Sequence, residues 1–276
     1  MALISVNDLA TQLDDAQLVV CDVRFSLADH AQGRRDYDEA HLPGAVFVDL
    51  HTELAGTPGP NGEGGRHPLP TVEEFAALLG RLGIGPSNFV VAYDAAGGAT
   101  ASRLWWMLRS IGHGRVSVLD GGLPAWVAAG HPVTADRTDR PPATYPVPPG
   151  WTGVVDAEAV AEGVALGATV VDSRAAERFR GEVEPLDPRA GHIPGAIHRF
   201  HGDNVGADGT HLPLDQLAAR FAGIGESPVV YCGSGVTACH NLLAMSLVGV
   251  SRARLYAGSW SDWSADPDRP VATGDA

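Results

Sequence analysis

The sequence predicts an α/β protein made of two duplicated domains, each with a mainly parallel sheet flanked by helices. Short apolar runs typical of buried strands alternate along the chain with amphipathic segments typical of helices. The same ordered set of motifs also occurs twice. His41-Leu42-Pro43-Gly44-Ala45 reappears as His192-Ile193-Pro194-Gly195-Ala196. A repeat on this scale indicates a duplicated domain rather than a solenoid.

The first half contains the elements in their clearest form. A capped helix is expected over residues 5–13, and Thr71 with Glu74 forms a capping box at the start of another helix over 71–82. Apolar runs predict strands over 18–24, 89–93 and 116–119. Helical spacing predicts further helices over 101–111 and 120–126.

The second half repeats this order. Residues 169–174 correspond to the strand that ends in Asp22 and Arg24, and Cys232 falls where the first half has Asp94. We expect a non-catalytic domain over 1–135, a proline-rich linker over 136–152 and a catalytic domain over 153–276. Sites in parallel sheets lie beyond the carboxyl ends of the strands.

Composition excludes several classes of function. The chain has 276 residues and a net charge of −14, which argues against nucleic acid or an anionic membrane as a partner. An anionic substrate would therefore need a local basic site. The three cysteines form neither a disulfide framework nor a metal-binding spacing, so no metal and no cofactor are expected. The lack of a signal-peptide pattern and of a long apolar run favours the cytoplasm.

The segment most informative about chemistry begins at Pro228. The apolar run at 229–231 predicts a strand, Cys232 follows it, and helical spacing resumes after the small loop 233–237. Backbone N–H groups at a helix start, together with a glycine-containing turn, can form an anion-binding nest. Such a nest would stabilise a thiolate or a persulfide at Cys232.

The run Cys232-Gly233-Ser234-Gly235-Val236-Thr237-Ala238-Cys239 resembles the active-site loop of the two-domain rhodanese family. It is most similar to the 3-mercaptopyruvate sulfurtransferase branch, because the animal thiosulfate branch has two basic residues where this chain has Gly233 and Ser234. The resemblance extends over nearly the whole chain. It implies that Cys232 takes a sulfur atom from 3-mercaptopyruvate or thiosulfate and passes it to cyanide or to a thiol such as thioredoxin.

The resemblance also implies roles for individual residues. Arg178 and Arg189 would hold the donor. Ser234 and His67 would form a relay with an aspartate, but that aspartate's position holds His51, with Asp49 two residues earlier. The remaining loop residues would bind the donor: Gly233, Gly235, Val236 and Thr237.

Two other classes of function are alternatives for this loop. A cysteine phosphatase uses a similar loop but needs an arginine six residues after the nucleophile, where this chain has Ala238. A non-catalytic binding or regulatory module is the second alternative, and the intact Cys232 argues against it. The preferred donor, the physiological acceptor, the oligomeric state and the role of Cys239 stay open at this stage.

Overall fold

The computed structural model describes residues 2–275 and divides them into two compact units. Neither unit is a continuous stretch of chain. The first consists of residues up to 55 together with 70–152 and 205–211, and the second consists of 56–69, 153–204 and 212 onward. The predicted boundaries were continuous, so the assignment of 56–69 to the second unit was not anticipated.

The first unit is built on a five-stranded sheet. The chain follows the order β1 (Leu3–Ile4), α1 (Val6–Ala10), β2 (Leu18–Asp22), α2 (Gln32–Glu39), β3 (Val46–Phe47), α3 (Val72–Arg81), β4 (Phe89–Tyr93), α4 (Ala101–Ser110), β5 (Val116–Leu119) and α5 (Gly122–Ala128). The strands lie in the order β1-β5-β4-β2-β3, and every neighbouring pair in this sheet is parallel.

The elements of the second unit are β6 (Val154–Val155), α6 (Ala157–Ala165), β7 (Val170–Asp172), α7 (Ala176–Phe179), β8 (Ile197–His198), a 3₁₀ turn (His201–Asn204), α8 (Leu214–Arg220), β9 (Val229–Tyr231), α9 (Ala238–Leu247), β10 (Arg254–Tyr256) and α10 (Ser259–Trp263). Its strands repeat the first sheet in the order β6-β10-β9-β7-β8, and each neighbouring pair is again parallel. The predicted fold class, two tandem α/β domains with parallel sheets and flanking helices, is therefore confirmed.

Local sequence explains where several helices begin. The Thr71 hydroxyl accepts the Glu74 N–H at 3.2 Å, and the Glu74 carboxylate accepts the Thr71 N–H at 2.8 Å. This reciprocal pair satisfies two donors that a helix start otherwise leaves open. Ser5 caps α1 in the predicted way by accepting from the Asp8 N–H.

Equivalent ion pairs fasten the carboxyl end of a strand in each unit. Arg24 lies 2.7 Å from Asp22, and Arg174 lies 2.6 Å from Asp172. Each arginine also donates to a backbone carbonyl, that of Ala40 or of Gly191. These pairs hold the loops that follow the strands, and the two charges of each pair compensate each other.

The second unit places Cys232 directly after β9, the middle strand of its sheet. The strand itself is buried, and its Val229 and Tyr231 side chains belong to an apolar cluster that includes Trp260. The loop after β9 therefore starts from a rigid element, which is what a precisely positioned reactive group requires. Among the described residues, none of the helices is long and apolar enough to cross a bilayer.

Candidate active site

The loop at Cys232 is enclosed by its own unit. Cys232 is 2 % exposed, and Ser234 is 9 % exposed. The carbonyls of Cys232 and Gly233 accept from the N–H groups of Trp260 and Ser261 at the start of α10. The first part of the loop is thus tied to α10 through its backbone.

Glycine is required at Gly235 by two independent features. Its φ of +76° lies in the left-handed region, and an added Cβ would lie 2.3 Å from the Ala257 carbonyl oxygen. A side chain there would be strained and would collide with backbone. Gly235 therefore shapes the turn that leads from Cys232 into α9.

The Ser259 side chain contacts the backbone of Cys232. Its hydroxyl accepts the Cys232 N–H at 3.1 Å and donates to the Tyr256 carbonyl at 2.9 Å. Ser259 is also the non-glycine residue with positive φ among those described, at 56°. Such strain is commonly stored next to functional groups.

The predicted Ser234 and His67 pair is formed. The His67 Nδ1 atom lies 2.9 Å from the Ser234 hydroxyl oxygen, and both side chains are buried. Segment 56–69 brings His67 here because the Gly64 and Arg66 N–H groups donate to the Asp262 carboxylate and the Ser261 hydroxyl. Asp49 and His51 belong to the other compact unit, where Asp49 accepts from the Thr52 N–H.

Arg178 lies beside the reactive loop, as predicted. Its Nη1 atom would be 3.3 Å from a Cβ added to Gly233. The Arg178 side chain is 17 % exposed, and its guanidinium pairs with Glu184 at 2.7 Å and with Asp187 at 3.0 Å. A second arginine approaches the same point, since Arg66 Nη2 would be 3.1 Å from that Cβ. Arg66 also pairs with Asp187.

Arg189 uses its guanidinium differently. It donates to the backbone carbonyls of Trp263, Ser264, Asp266 and Arg269, around and beyond the end of α10. A cation at the carboxyl end of a helix satisfies carbonyls that lack intrahelical partners. These contacts give Arg189 a structural role and leave Arg178 and Arg66 as the arginines next to Gly233.

The other loop residues and cysteines are also accounted for. Val236 is 7 % exposed, and Thr237 precedes α9 without making a side-chain cap. The Cys239 thiol donates to the Gly235 carbonyl at 3.3 Å within the same turn. Burial raises the pKa of the Cys21 thiol to about 12, which keeps it neutral inside the first unit.

The corresponding loop of the first unit shows what this architecture binds. There the buried Asp94 carboxylate occupies the position that follows the middle strand. It accepts five hydrogen bonds: from the N–H groups of Ala96, Gly98, Thr100 and Ala101 and from the Thr100 hydroxyl. The loop of this fold can therefore surround an anion with backbone donors.

Comparison with protein families identifies the fold. A model of the rhodanese-like domain matches residues 5–129 and again 156–266. The chain belongs to the rhodanese family. The two matches correspond to the two halves inferred from the internal repeat. They show that both halves derive from one domain type, although only the second has a cysteine after its middle strand.

Two curated relatives and one crystal structure show the range of this family. A probable 3-mercaptopyruvate sulfurtransferase of Pseudomonas aeruginosa is 46% identical over 99% of this chain and 98% of its own length. A putative thiosulfate sulfurtransferase of Mycobacterium tuberculosis is 40% identical with the same coverage. Escherichia coli SseA, a 3-mercaptopyruvate sulfotransferase of rhodanese fold, has a TM-score of 0.80 at 31% identity, covering 94% of this chain and 98% of that chain. The protein is accordingly an enzyme of the sulfurtransferase class.

Sequence reasoning missed three residues of this site. Arg66 was passed over because it neighbours His67 and lies far along the chain from Gly233. Asp187 belongs to the acidic stretch that Arg189 closes, yet it pairs with Arg66 and Arg178. Ser259 lies in the segment that corresponds to Gly122 of the first half. A serine replacing a positive-φ glycine at the matching repeat position was the available signal.

Proposed function

We propose that the protein transfers a sulfane sulfur atom from 3-mercaptopyruvate or thiosulfate to a thiol or cyanide through a persulfide on Cys232. The observation that carries this proposal is the placement of Cys232 directly after the middle strand, with two guanidinium groups against the next residue, Gly233. A thiolate nucleophile next to cations suits a donor that is both a sulfur source and an anion.

The first half-reaction breaks the bond that holds the transferable sulfur. The Cys232 thiolate attacks that sulfur, and a new S–S bond forms. With 3-mercaptopyruvate the C–S bond breaks, its electron pair goes to carbon, and the resulting enolate takes up a proton to give pyruvate. With thiosulfate the S–S bond of the donor breaks and sulfite leaves with the electron pair.

The second half-reaction restores the enzyme. An acceptor thiolate or cyanide attacks the outer sulfur of the persulfide, and the Cys232 thiolate leaves. The acceptor becomes a persulfide or thiocyanate. A small thiol or thioredoxin in the cytoplasm would serve as acceptor, and Asp94 in place of cysteine makes the first domain non-catalytic in this scheme.

Ser234 and His67 have a role at the leaving group. The buried His67 ring can exchange a proton with the Ser234 hydroxyl at 2.9 Å. Ser234 is two residues from Cys232, so its hydroxyl is available to polarise the donor or to deliver the proton that the enolate needs.

The loop itself would hold the anionic sulfur. The N–H groups of Gly233, Gly235, Val236 and Thr237 are the donors of the nest that we propose around the persulfide, by analogy with the donors around Asp94. Arg178 would bind the carboxylate of 3-mercaptopyruvate, a geometry that a guanidinium recognises well. The neutral loop favours 3-mercaptopyruvate over the dianionic thiosulfate.

Kinetics of Arg178→Ala test the donor assignment. We expect the variant to raise KM for 3-mercaptopyruvate about tenfold or more, the loss of one charge-assisted contact. Arg180→Ala is the matched control, because Arg180 lies in the same segment and pairs with the exposed neighbouring Glu182. Unchanged KM in Arg178→Ala would remove this residue from the donor site. The ratio of kcat/KM for the two donors decides which is preferred.

A further inference from the structure

The arginines beside Gly233 are already occupied by a carboxylate. Asp187 pairs with Arg66 through one oxygen and with Arg178 through the other, at 3.0 Å. Its side chain is 2 % exposed. Glu184 pairs with Arg178 and, at 3.3 Å, with Arg174. Asp187 therefore stands where the two guanidinium groups converge.

The charges of this network balance. Arg66, Arg178 and Arg174 face Asp187, Glu184 and Asp172, three cations against three anions. An anionic donor that binds to the arginines adds a fourth negative charge to a largely buried cluster. Burying an uncompensated charge is costly, so one carboxylate must leave its partners or take up a proton.

Two observations identify Asp187 and Arg66 as the groups that change. The Nε atom of Arg66 is buried and has no hydrogen-bond partner among residues 2–275. That atom is a donor still open to an anion. Burial raises the pKa of the Asp187 carboxyl, and the charge of Glu184 adds to the rise, while Arg66 and Arg178 oppose it. Asp187 is thus a carboxylate that its surroundings already favour in the neutral form.

We propose that Asp187 is an internal competitor for the donor, and that 3-mercaptopyruvate or thiosulfate binds by displacing the Asp187 carboxylate from Arg66 and Arg178. Arg66 then acts as a second donor-binding arginine alongside Arg178. This inference rests on the sulfurtransferase function proposed above. Asp187 then weakens donor binding, because a donor must carry enough negative charge to displace the Asp187 carboxylate from the two arginines.

Displacement couples donor binding to a proton. In this proposal the displaced Asp187 stays buried beside Glu184, so the causes that raise its pKa remain while the two opposing arginines are lost. Donor binding therefore takes up a proton above the resting pKa of Asp187. It follows that affinity for an anionic donor decreases as pH rises through the range between the resting and the donor-bound pKa.

The two ends of the Arg66–Asp187 pair are tested by opposite expectations. Asp187→Asn keeps the shape but removes the competing charge, so we expect KM for 3-mercaptopyruvate to fall about three- to tenfold. Arg66→Gln removes a donor-binding cation, and KM should rise about tenfold. Damage to the fold would raise KM in both variants. Glu182→Gln, an exposed carboxylate of the same segment, is the control and should leave KM unchanged.

The wild-type enzyme supplies a test that needs no variant. At constant ionic strength its KM for 3-mercaptopyruvate should rise with pH over the titration of Asp187, and Asp187→Asn should flatten that rise. An unchanged or higher KM in Asp187→Asn, or a wild-type KM that is independent of pH, overturns the inference. A wild-type enzyme that takes no sulfur from either donor would instead refute the proposed function.

Discussion

Ser259 carries backbone strain beside the reactive cysteine. The equivalent position of the first unit is Gly122, whose φ of +57° is nearly the same as the 56° of Ser259. Glycine adopts this conformation without strain, whereas a residue with a Cβ pays about 1–2 kcal/mol. The serine hydroxyl offers a compensation that glycine lacks, because it accepts the buried Cys232 N–H.

Replacement of Ser259 separates strain from hydrogen bonding. Ser259→Ala keeps the strain and leaves the Cys232 N–H unpaired, so we expect a loss of about 1–3 kcal/mol in the free energy of unfolding. Ser259→Gly loses the same bond but relieves the strain and should be more stable than the alanine variant by about 1 kcal/mol. Urea denaturation measures both.

Ser246→Ala is the matched control for these variants, because the Ser246 hydroxyl donates to the Leu243 carbonyl of its own helix. Its free energy of unfolding should change by less than about 1 kcal/mol. An alanine variant at 259 as stable as the wild type would show that the hydroxyl contributes nothing to the cysteine loop.

Individual residues differ in how well the sequence predicts them. The local pattern singles out Cys232, whereas the family resemblance points to Ser234 and His67, and the structure places these two side chains within hydrogen-bond distance. The sequence pattern does not show that Arg66, rather than Arg189, lies beside Gly233. Which guanidinium reaches Gly233 depends on how segments distant along the chain pack, and Arg189 is held by carbonyls near the end of α10 instead.

At the scale of elements, the chain contains the same strand–loop–helix unit twice, and in the first unit its loop surrounds a carboxylate. In the first unit the Asp94 carboxylate fills the loop before α4 (Ala101–Ser110). In the second unit Cys232 stands before α9 (Ala238–Leu247), and its loop is one residue shorter, with five residues between Cys232 and Ala238 against six between Asp94 and Ala101. The strands and the capping box were predictable because their periodicity is local.

Removal of Asp94 tests the anion-binding property of this element. Asp94→Ala leaves four N–H groups without their acceptor, two of them buried, and we expect a loss of about 3 kcal/mol in stability. Sulfate can enter the vacated nest, so added sulfate should raise the melting temperature of this variant more than that of the wild type.

Asp15→Ala provides the comparison, because the Asp15 carboxylate accepts the Gln17 N–H at an exposed turn. It should be nearly as stable as the wild type and should respond to sulfate as the wild type does. An equal response of all three proteins to sulfate would contradict the nest at Asp94.

For the molecule as a whole, the decisive feature is that the compact units are discontinuous. The second unit includes segment 56–69, which contains His67 and Arg66, and the Arg66 backbone N–H donates to the Ser261 hydroxyl at 3.0 Å. The sequence indicated the duplication because repeated motifs are visible in one dimension. The sequence could not indicate that segment 56–69 belongs to the second unit, since a glycine- and proline-rich loop has no periodicity that shows which core it packs against.

A fragment of residues 153–276 should therefore be inactive. It lacks the partner of Ser234 and two backbone donors to α10, so it should take up less sulfur and unfold more readily than the intact chain. A fusion of residues 56–69 to this fragment through a flexible linker should restore sulfur uptake, and the same fusion with a scrambled segment should not. Full activity of the bare fragment would show that segment 56–69 is dispensable.

Intact-mass spectrometry of the purified protein after exposure to 3-mercaptopyruvate tests the central claim most directly. The wild-type chain and Cys239→Ser should each gain one sulfur atom and lose it on addition of cyanide, with thiocyanate released in equal amount. Cys232→Ser should gain none. A sulfur adduct that persists in Cys232→Ser, or no adduct in the wild type with either donor, would contradict a persulfide on Cys232.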